Sequence, residues 1–257
     1  MRPCILLFLA AVSQAPVGPH DVPLVSIAPE GKETVLCAGR LWGRLLDNVA
    51  NDERQGSGFN PLVHLDRPQQ PIYGLDGTGL NFEHIFNGAV ADNNIAMFTP
   101  RKDPVVLTTR SDRCATLHWP AEGNAWRIAS TMTYTFAAPD TIDMTFRTTP
   151  TEDRFPLDYV CYMWASYMAR ARDRKIHFLG LENGKQGWTC FGDTLADGRI
   201  ESGTVAHAQI APLTHEPGAQ TLNITEITAK QFSEPFYYGV LEDNDDGSGT
   251  GMLAYIM

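Results

Sequence analysis

Between Tyr73 and Gly88 the chain reads YGLDGTGLNFEHIFNG, its most irregular and polar-rich stretch. Gly74, Gly77, Gly79 and Gly88 frame Asp76, Asn81, Glu83, His84 and Asn87. Glycine has no Cβ, so a loop built this way can bring its backbone close to a ligand. Glu83 and His84 are candidate acid and base groups, because both side chains can be tuned towards neutral pH. Asp76 and Asn81 are candidate ligand-binding groups beside them. In a strand, however, neighbours point to opposite faces, so the spacing predicts that Glu83 and His84 do not share one site. If Glu83 is paired elsewhere, His84 reads as a satisfied core histidine. The glycine pattern is not a phosphate loop, because the Lys-Ser/Thr ending is missing.

A second cluster runs from Asp158 to His177 and holds Tyr159, Tyr162, Trp164, Tyr167, Arg170, Arg172, Asp173, Arg174 and His177. Alternation places Tyr162, Trp164 and Ser166 on one side, with Cys161, Met163, Ala165 and Tyr167 on the other. One side is core. The other would set Tyr and Trp beside Arg and His, a surface suited to sugars, which offer apolar C–H faces to aromatic rings and hydroxyls to polar groups. Tyr162, Trp164, Arg170 and Arg172 are therefore candidate ligand-binding residues, and His177 joins Glu83 and His84 as a catalytic candidate. The competing reading turns every aromatic into the core and leaves the arginines solvated or paired.

Other motifs carry less chemistry. Arg101-Lys102-Asp103-Pro104 reads as a solvated basic turn rather than an anion site. Asp243–Gly249 is acidic, but with Gly247 taken as the sixth position of an EF-hand loop, Leu253 would stand twelfth, where a bidentate acid is needed. It reads as an acidic hairpin tip, and no metal is expected. Asn223-Ile224-Thr225 matches the glycosylation sequon, which matters only in a eukaryotic secretory pathway. There is no G-x-S-x-G and no H-E-x-x-H, which disfavours a serine hydrolase or zinc protease with a known motif. No cofactor is implied.

The elements that must hold these residues read almost entirely as strands. From Trp126 to Phe136, Trp126, Ile128, Met132, Tyr134 and Phe136 share one face, while Arg127, Thr131, Thr133 and Thr135 share the other. A Pro139-Asp140 turn leads into Ile142, Met144 and Phe146 alternating with Asp143, Thr145 and Arg147, which predicts a hairpin. Further strands are predicted at Leu24–Ala28, Thr34–Ala38, Val105–Thr109, Ala115–Trp119, Tyr159–Tyr167, Lys175–Leu181, Leu222–Ile227, Phe236–Leu241 and Met252–Met257. Leu41–Val49 is the one short helix expected, since Leu41, Leu45, Leu46 and Val49 share a helical face. Many strands without a βαβ rhythm predict an all-β, two-sheet antiparallel sandwich with few short helices.

At the N-terminus Arg2, the apolar run Ile5–Val12 and Ser13-Gln14-Ala15 have the build of a signal peptide over residues 1–15. This predicts a secreted or periplasmic protein whose residues 16–257 form a single β-sandwich domain. No apolar stretch after Ala15 is long enough to span a membrane. Removing Cys4 leaves Cys37, Cys114, Cys161 and Cys190, which allow two disulfides in three pairings or simply buried thiols. The last strand stops in full stride, which leaves open a missing C-terminal portion.

The chain has 257 residues, 30 acidic against 20 basic, for a net charge of −10. That balance, with no Lys/Arg cluster, argues against nucleic acid or an anionic membrane as main partner. GLNFEHIFNG (79–88) and MWASYMARARDRKIHFLG (163–180) resemble uncharacterised secreted bacterial β-sandwich proteins. More widely, residues 80–230 resemble the galactose-mutarotase-like supersandwich. The resemblance implies a histidine acid and a glutamate base facing a sugar ring, with neither role aligned to a residue here. Together these readings lead to an exported carbohydrate-binding or carbohydrate-processing protein using acid/base chemistry. The alternatives are a non-catalytic glycan-binding module and a structural or interaction domain of the cell envelope.

Overall fold

Sixteen strands and almost no helix make up the computed structural model, which describes residues 32–48, 56–73, 77–86, 99–153, 160–169, 171–172, 175–201, 204–207, 227–242 and 250–256. The signal-peptide run, the strand expected at Leu24–Ala28, the sequon and the acidic tip at Asp243–Gly249 lie outside those residues. The chain divides into two compact units: residues 1–87 with 92–170, and residues 88–91 with 171–257.

In the first unit, β1 (Glu33–Ala38), β2 (Leu41–Leu46), β3 (Gly58–His64) and β4 (Pro71–Tyr73) form an antiparallel sheet in that order. The sequence β6 (Val106–Ser111), β7 (Cys114–Trp119), β8 (Ile128–Ala137) and β9 (Thr141–Pro150) forms an antiparallel meander. Between these in sequence, β5 (Asn81–Phe86) pairs with β10 (Cys161–Ala165). The helical turn α1 (Thr99–Lys102) is the one helix among the described residues.

The β8–β9 hairpin forms as its alternation predicts: Ile128, Met132, Tyr134 and Phe136 are buried, as are Ile142, Met144 and Phe146, while Asp143, Thr145 and Arg147 are exposed. Its inward rings meet those of other strands. Phe59 of β3 packs edge-on against Tyr134, with centroids 5.0 Å apart. Phe82 of β5 packs against Phe146 at 4.9 Å and Trp119 at 5.3 Å. Each such side chain contributes about 1.5–3 kcal/mol when fully buried. Arg40, in the β1–β2 turn, clasps the β8–β9 turn by donating to Asp140 through Nε (3.1 Å) and Nη2 (2.6 Å), and to Asp66 through Nη1 (3.1 Å).

The helix expected at Leu41–Val49 is a strand over Leu41–Leu46. Its apolar spacing fits both periods, but β1 and β3 lie on its two sides and satisfy its backbone groups. Leu41, Gly43 and Leu45 then face inward.

The second unit is one sheet around β11 (Ile176–Glu182), with β13 (Thr204–His207), β14 (Ile227–Phe232), β11, β15 (Phe236–Glu242) and β16 (Thr250–Ile256) in that order, and β12 (Lys185–Phe191) also on β11. Only the β13–β14 pair is parallel among the described strands. Phe178, Phe232 and Tyr255 are buried on one of its faces, with the Phe178 and Phe232 rings 4.3 Å apart. Among the described residues no sheet closes on itself, and no helix is long and apolar enough to cross a membrane.

Candidate functional site

β5 is buried on both faces, so its polar residues must find partners inside. Glu83 is only 4% exposed, and its carboxylate accepts hydrogen bonds from two donors, Tyr167 and Arg101. Tyr167 Oη lies 3.0 Å from Oε1 and 3.1 Å from Oε2, donating to one or shared between both. Arg101 Nη1 donates to Oε1 at 3.0 Å. The His84 ring, also buried, places Nε2 at 3.7 Å from the same oxygen.

That last distance corrects the expectation that Glu83 and His84 cannot share a site. In the β5–β10 pair, His84 stands opposite Met163 and Phe82 opposite Trp164, so Glu83 has no partner in the register. Glu83 is the extra residue of a β-bulge, which breaks strict alternation and re-aims the side chains on either side of it.

Tyr167 is fixed by the segment beyond β10. Its backbone N–H donates to Thr78 O at 3.3 Å, Ser166 Oγ accepts from Leu80 N at 3.0 Å, and Ala169 N donates to Ile72 O at 2.9 Å. The glycines of the loop serve this packing. A Cβ on Gly77 would lie 2.7 Å from Tyr167 Cδ2, and one on Gly79 would overlap the Tyr73 ring. The close approach they permit is therefore to the protein's own tyrosines. Leu80, buried and not a glycine, is held at φ +54°. Its carbonyl accepts from Tyr134 Oη at 2.6 Å, and burial pushes that phenol well above its ordinary value, so it remains a donor.

Arg101 is held by α1. Asn48 Nδ2 donates to Asp103 O at 2.6 Å and to Pro100 O at 3.3 Å, and Trp119 Nε1 donates to Pro100 O at 2.9 Å. The basic turn at 101–104 is thus no free solvated loop, since Arg101 neutralises a buried carboxylate. Glu83 sits inside, while Tyr167 is 44% exposed and the Arg101 side chain 25%. Among the described residues, the groups of this cluster that can meet a ligand are therefore the phenol and the guanidinium, with the carboxylate and imidazole behind them.

The other candidates fall elsewhere. Asn81 is buried on β5 beside Gly56, and its Oδ1 has no hydrogen-bond partner among the described residues. Tyr162 and Trp164 join the aromatic core: Trp164 stacks on Phe82 at 5.8 Å and meets Phe146 at 4.8 Å, while Tyr162 Oη donates to Thr148 Oγ1 at 3.0 Å. His177 lies in the second unit, stacked on Tyr238 at 5.1 Å. Arg172 is exposed there, with its backbone N–H on Val240 O. Asp76 and Arg170 lie outside the described residues. Cys37, Cys114 and Cys190 carry free thiols. Among the described residues no cluster of three His, Cys, Asp or Glu side chains could hold a metal ion.

Sequence reasoning marked Glu83 and His84 but missed Arg101 and Tyr167 as their partners. Tyr167 stood in the aromatic cluster on the wrong side of an alternation, and nothing in the chain signals that Arg101 reaches back 18 positions. No protein-family profile, no curated protein and no solved structure matches this chain.

Proposed function

We propose that this is an exported β-sandwich protein, its two four-stranded sheets packed face to face, that processes carbohydrate by acid/base chemistry at Glu83, His84, Arg101 and Tyr167. One observation carries the reading: a buried carboxylate is linked by a hydrogen bond to a half-exposed phenol and paired with a guanidinium. A sugar hydroxyl hydrogen-bonded to Tyr167 passes its proton to Oη while the phenol proton moves to Glu83. With an anomeric hydroxyl as the donor, the reverse transfer delivers that proton to the ring oxygen as the ring C–O bond breaks and the anomeric carbonyl forms. Arg101 supplies the counter-charge beside the Glu83 carboxylate, 3.0 Å away. The Tyr167 ring offers an apolar face to the sugar.

A second reading, the non-catalytic glycan-binding module, is favoured by the pairing of Glu83, which already accepts from both Arg101 and Tyr167. Glycan-array binding of the protein, with thin-layer product analysis of every positive sugar, separates the two. The catalytic reading predicts product formation that Glu83→Gln abolishes while the circular dichroism spectrum is kept. Binding without product would establish the module, and unchanged turnover in Glu83→Gln would remove Glu83 from the mechanism.

A further inference from the structure

The sheet of the second unit has two unlike faces. One buries Phe178 and Phe232 with Gly180 and Gly239. The register sets Trp188 opposite Leu179, Cys190 opposite His177 and His177 opposite Tyr238, so these residues share the other face with Phe236. Trp188 is 64% exposed there, the most exposed large apolar side chain described. Its ring stands 5.9 Å from Phe236 at 63° and 6.0 Å from Tyr238 at 66°, while Tyr238 stacks on His177 at 19°. The result is an aromatic surface of two ring planes set steeply to each other.

The charge pattern says what such a surface accepts. Residues 177–181, 186–190 and 236–240 include no Lys, Arg, Asp or Glu. Lys175, the nearest cation in sequence on that face, is already ion-paired with Asp193. The hydrogen-bonding groups there are the Tyr238 hydroxyl and the amide of Gln186, whose Nε2 donates to Ser233 Oγ at 3.4 Å. An ion would lose its water here without gaining a counter-charge. A neutral sugar would lay C–H faces on the rings and keep its hydroxyls hydrogen-bonded. Rings inclined at 63° and 66° fit a single twisted chain better than a flat crystalline one.

We infer that this face, centred on Trp188, Phe236 and Tyr238 of the second unit, is a binding site for a soluble neutral polysaccharide chain that needs no catalysis at Glu83. It shares with the proposed function only the ligand class.

The test is affinity electrophoresis of the full chain in gels containing a soluble β-glucan, xylan or galactomannan, with polygalacturonate as the anionic comparison. At least one neutral polymer should retard the wild type. Trp188→Ala and Tyr238→Ala should weaken that binding about tenfold or more, and Val106→Ala, at an exposed apolar residue of the first unit, should bind as wild type does. Trp188 is exposed enough for its variant to fold, and Trp188→Phe should restore part of the retardation. Retardation by polygalacturonate alone, by no polymer, or equally in Trp188→Ala and wild type would overturn the site. So would a wild-type dimer in ultracentrifugation that Trp188→Ala dissociates. Turnover by a protein that shows no Trp188-dependent retardation sinks only this inference, whereas Trp188-dependent retardation without turnover sinks only the catalytic reading.

Discussion

Hydrogen bonds to buried acceptors decide how firmly the Glu83 loop is held. Tyr134 is fully buried, and its hydroxyl supplies the side-chain bond to the carbonyl of strained Leu80. Tyr134→Phe removes that donor, and the unsatisfied carbonyl should cost about 1–3 kcal/mol in urea unfolding. Asp103 gives the opposite sign. Burial raises its carboxyl above the ordinary value, and Oδ2 has no hydrogen-bond partner among the described residues. With the folded pKa raised above the unfolded one, the folded state holds its proton to higher pH. The stability this confers is present in acid and lost as pH rises through the folded pKa. Asp103→Asn should therefore raise the melting temperature at neutral pH, and the gain should vanish in melts run below the unfolded carboxylate range. A gain that persisted in acid would point to packing instead of charge.

At the level of elements, the legibility of the sequence tracks how many faces a strand buries. β8 and β9 bury one face each, so alternation betrays them. β5 is buried on both faces, and a run such as NFEHI then has no period to read. β12 is exposed over Lys185–Trp188 and likewise shows no alternation. β2 was open to a helical reading because its leucines satisfy either spacing. The bulge at Glu83 arises from pairing with β10, a partner 80 residues away in sequence, so no local pattern could announce it. The glycines were legible as sites of close approach, but which ring would approach was not. The two differ in a testable way. Gly79 lies under Tyr73, which is 1% exposed and has nowhere to go, while Gly77 lies under Tyr167, which is 44% exposed and can swing outward. Gly79→Ala should therefore destabilise by about 3 kcal/mol or fail to fold. Gly77→Ala should cost about 1–2 kcal/mol, at the expense of the Tyr167–Glu83 contact. Chemical denaturation of both variants checks the order, and equal losses would show that Tyr167 is as fixed as Tyr73.

Across the whole molecule, the all-β class was readable from composition and turn chemistry, whereas its distribution over two compact units was not. The candidate residues divide the same way. Glu83, His84, Arg101 and Tyr167 belong to the first unit, while His177 and the exposed aromatic face belong to the second. The cluster from Asp158 to His177, continuous in sequence, is divided between the two units after Arg170. The catalytic account thus rests on the first unit alone, and within it on the phenol that reaches solvent. The most direct measurement is turnover of an array-positive sugar by Tyr167→Phe, a variant whose half-exposed ring should leave the fold intact. The account predicts a fall of about a hundredfold or more with binding retained. Wild-type turnover in Tyr167→Phe would contradict it, because the proton would then reach the sugar without the phenol that, among the described residues, links Glu83 to solvent.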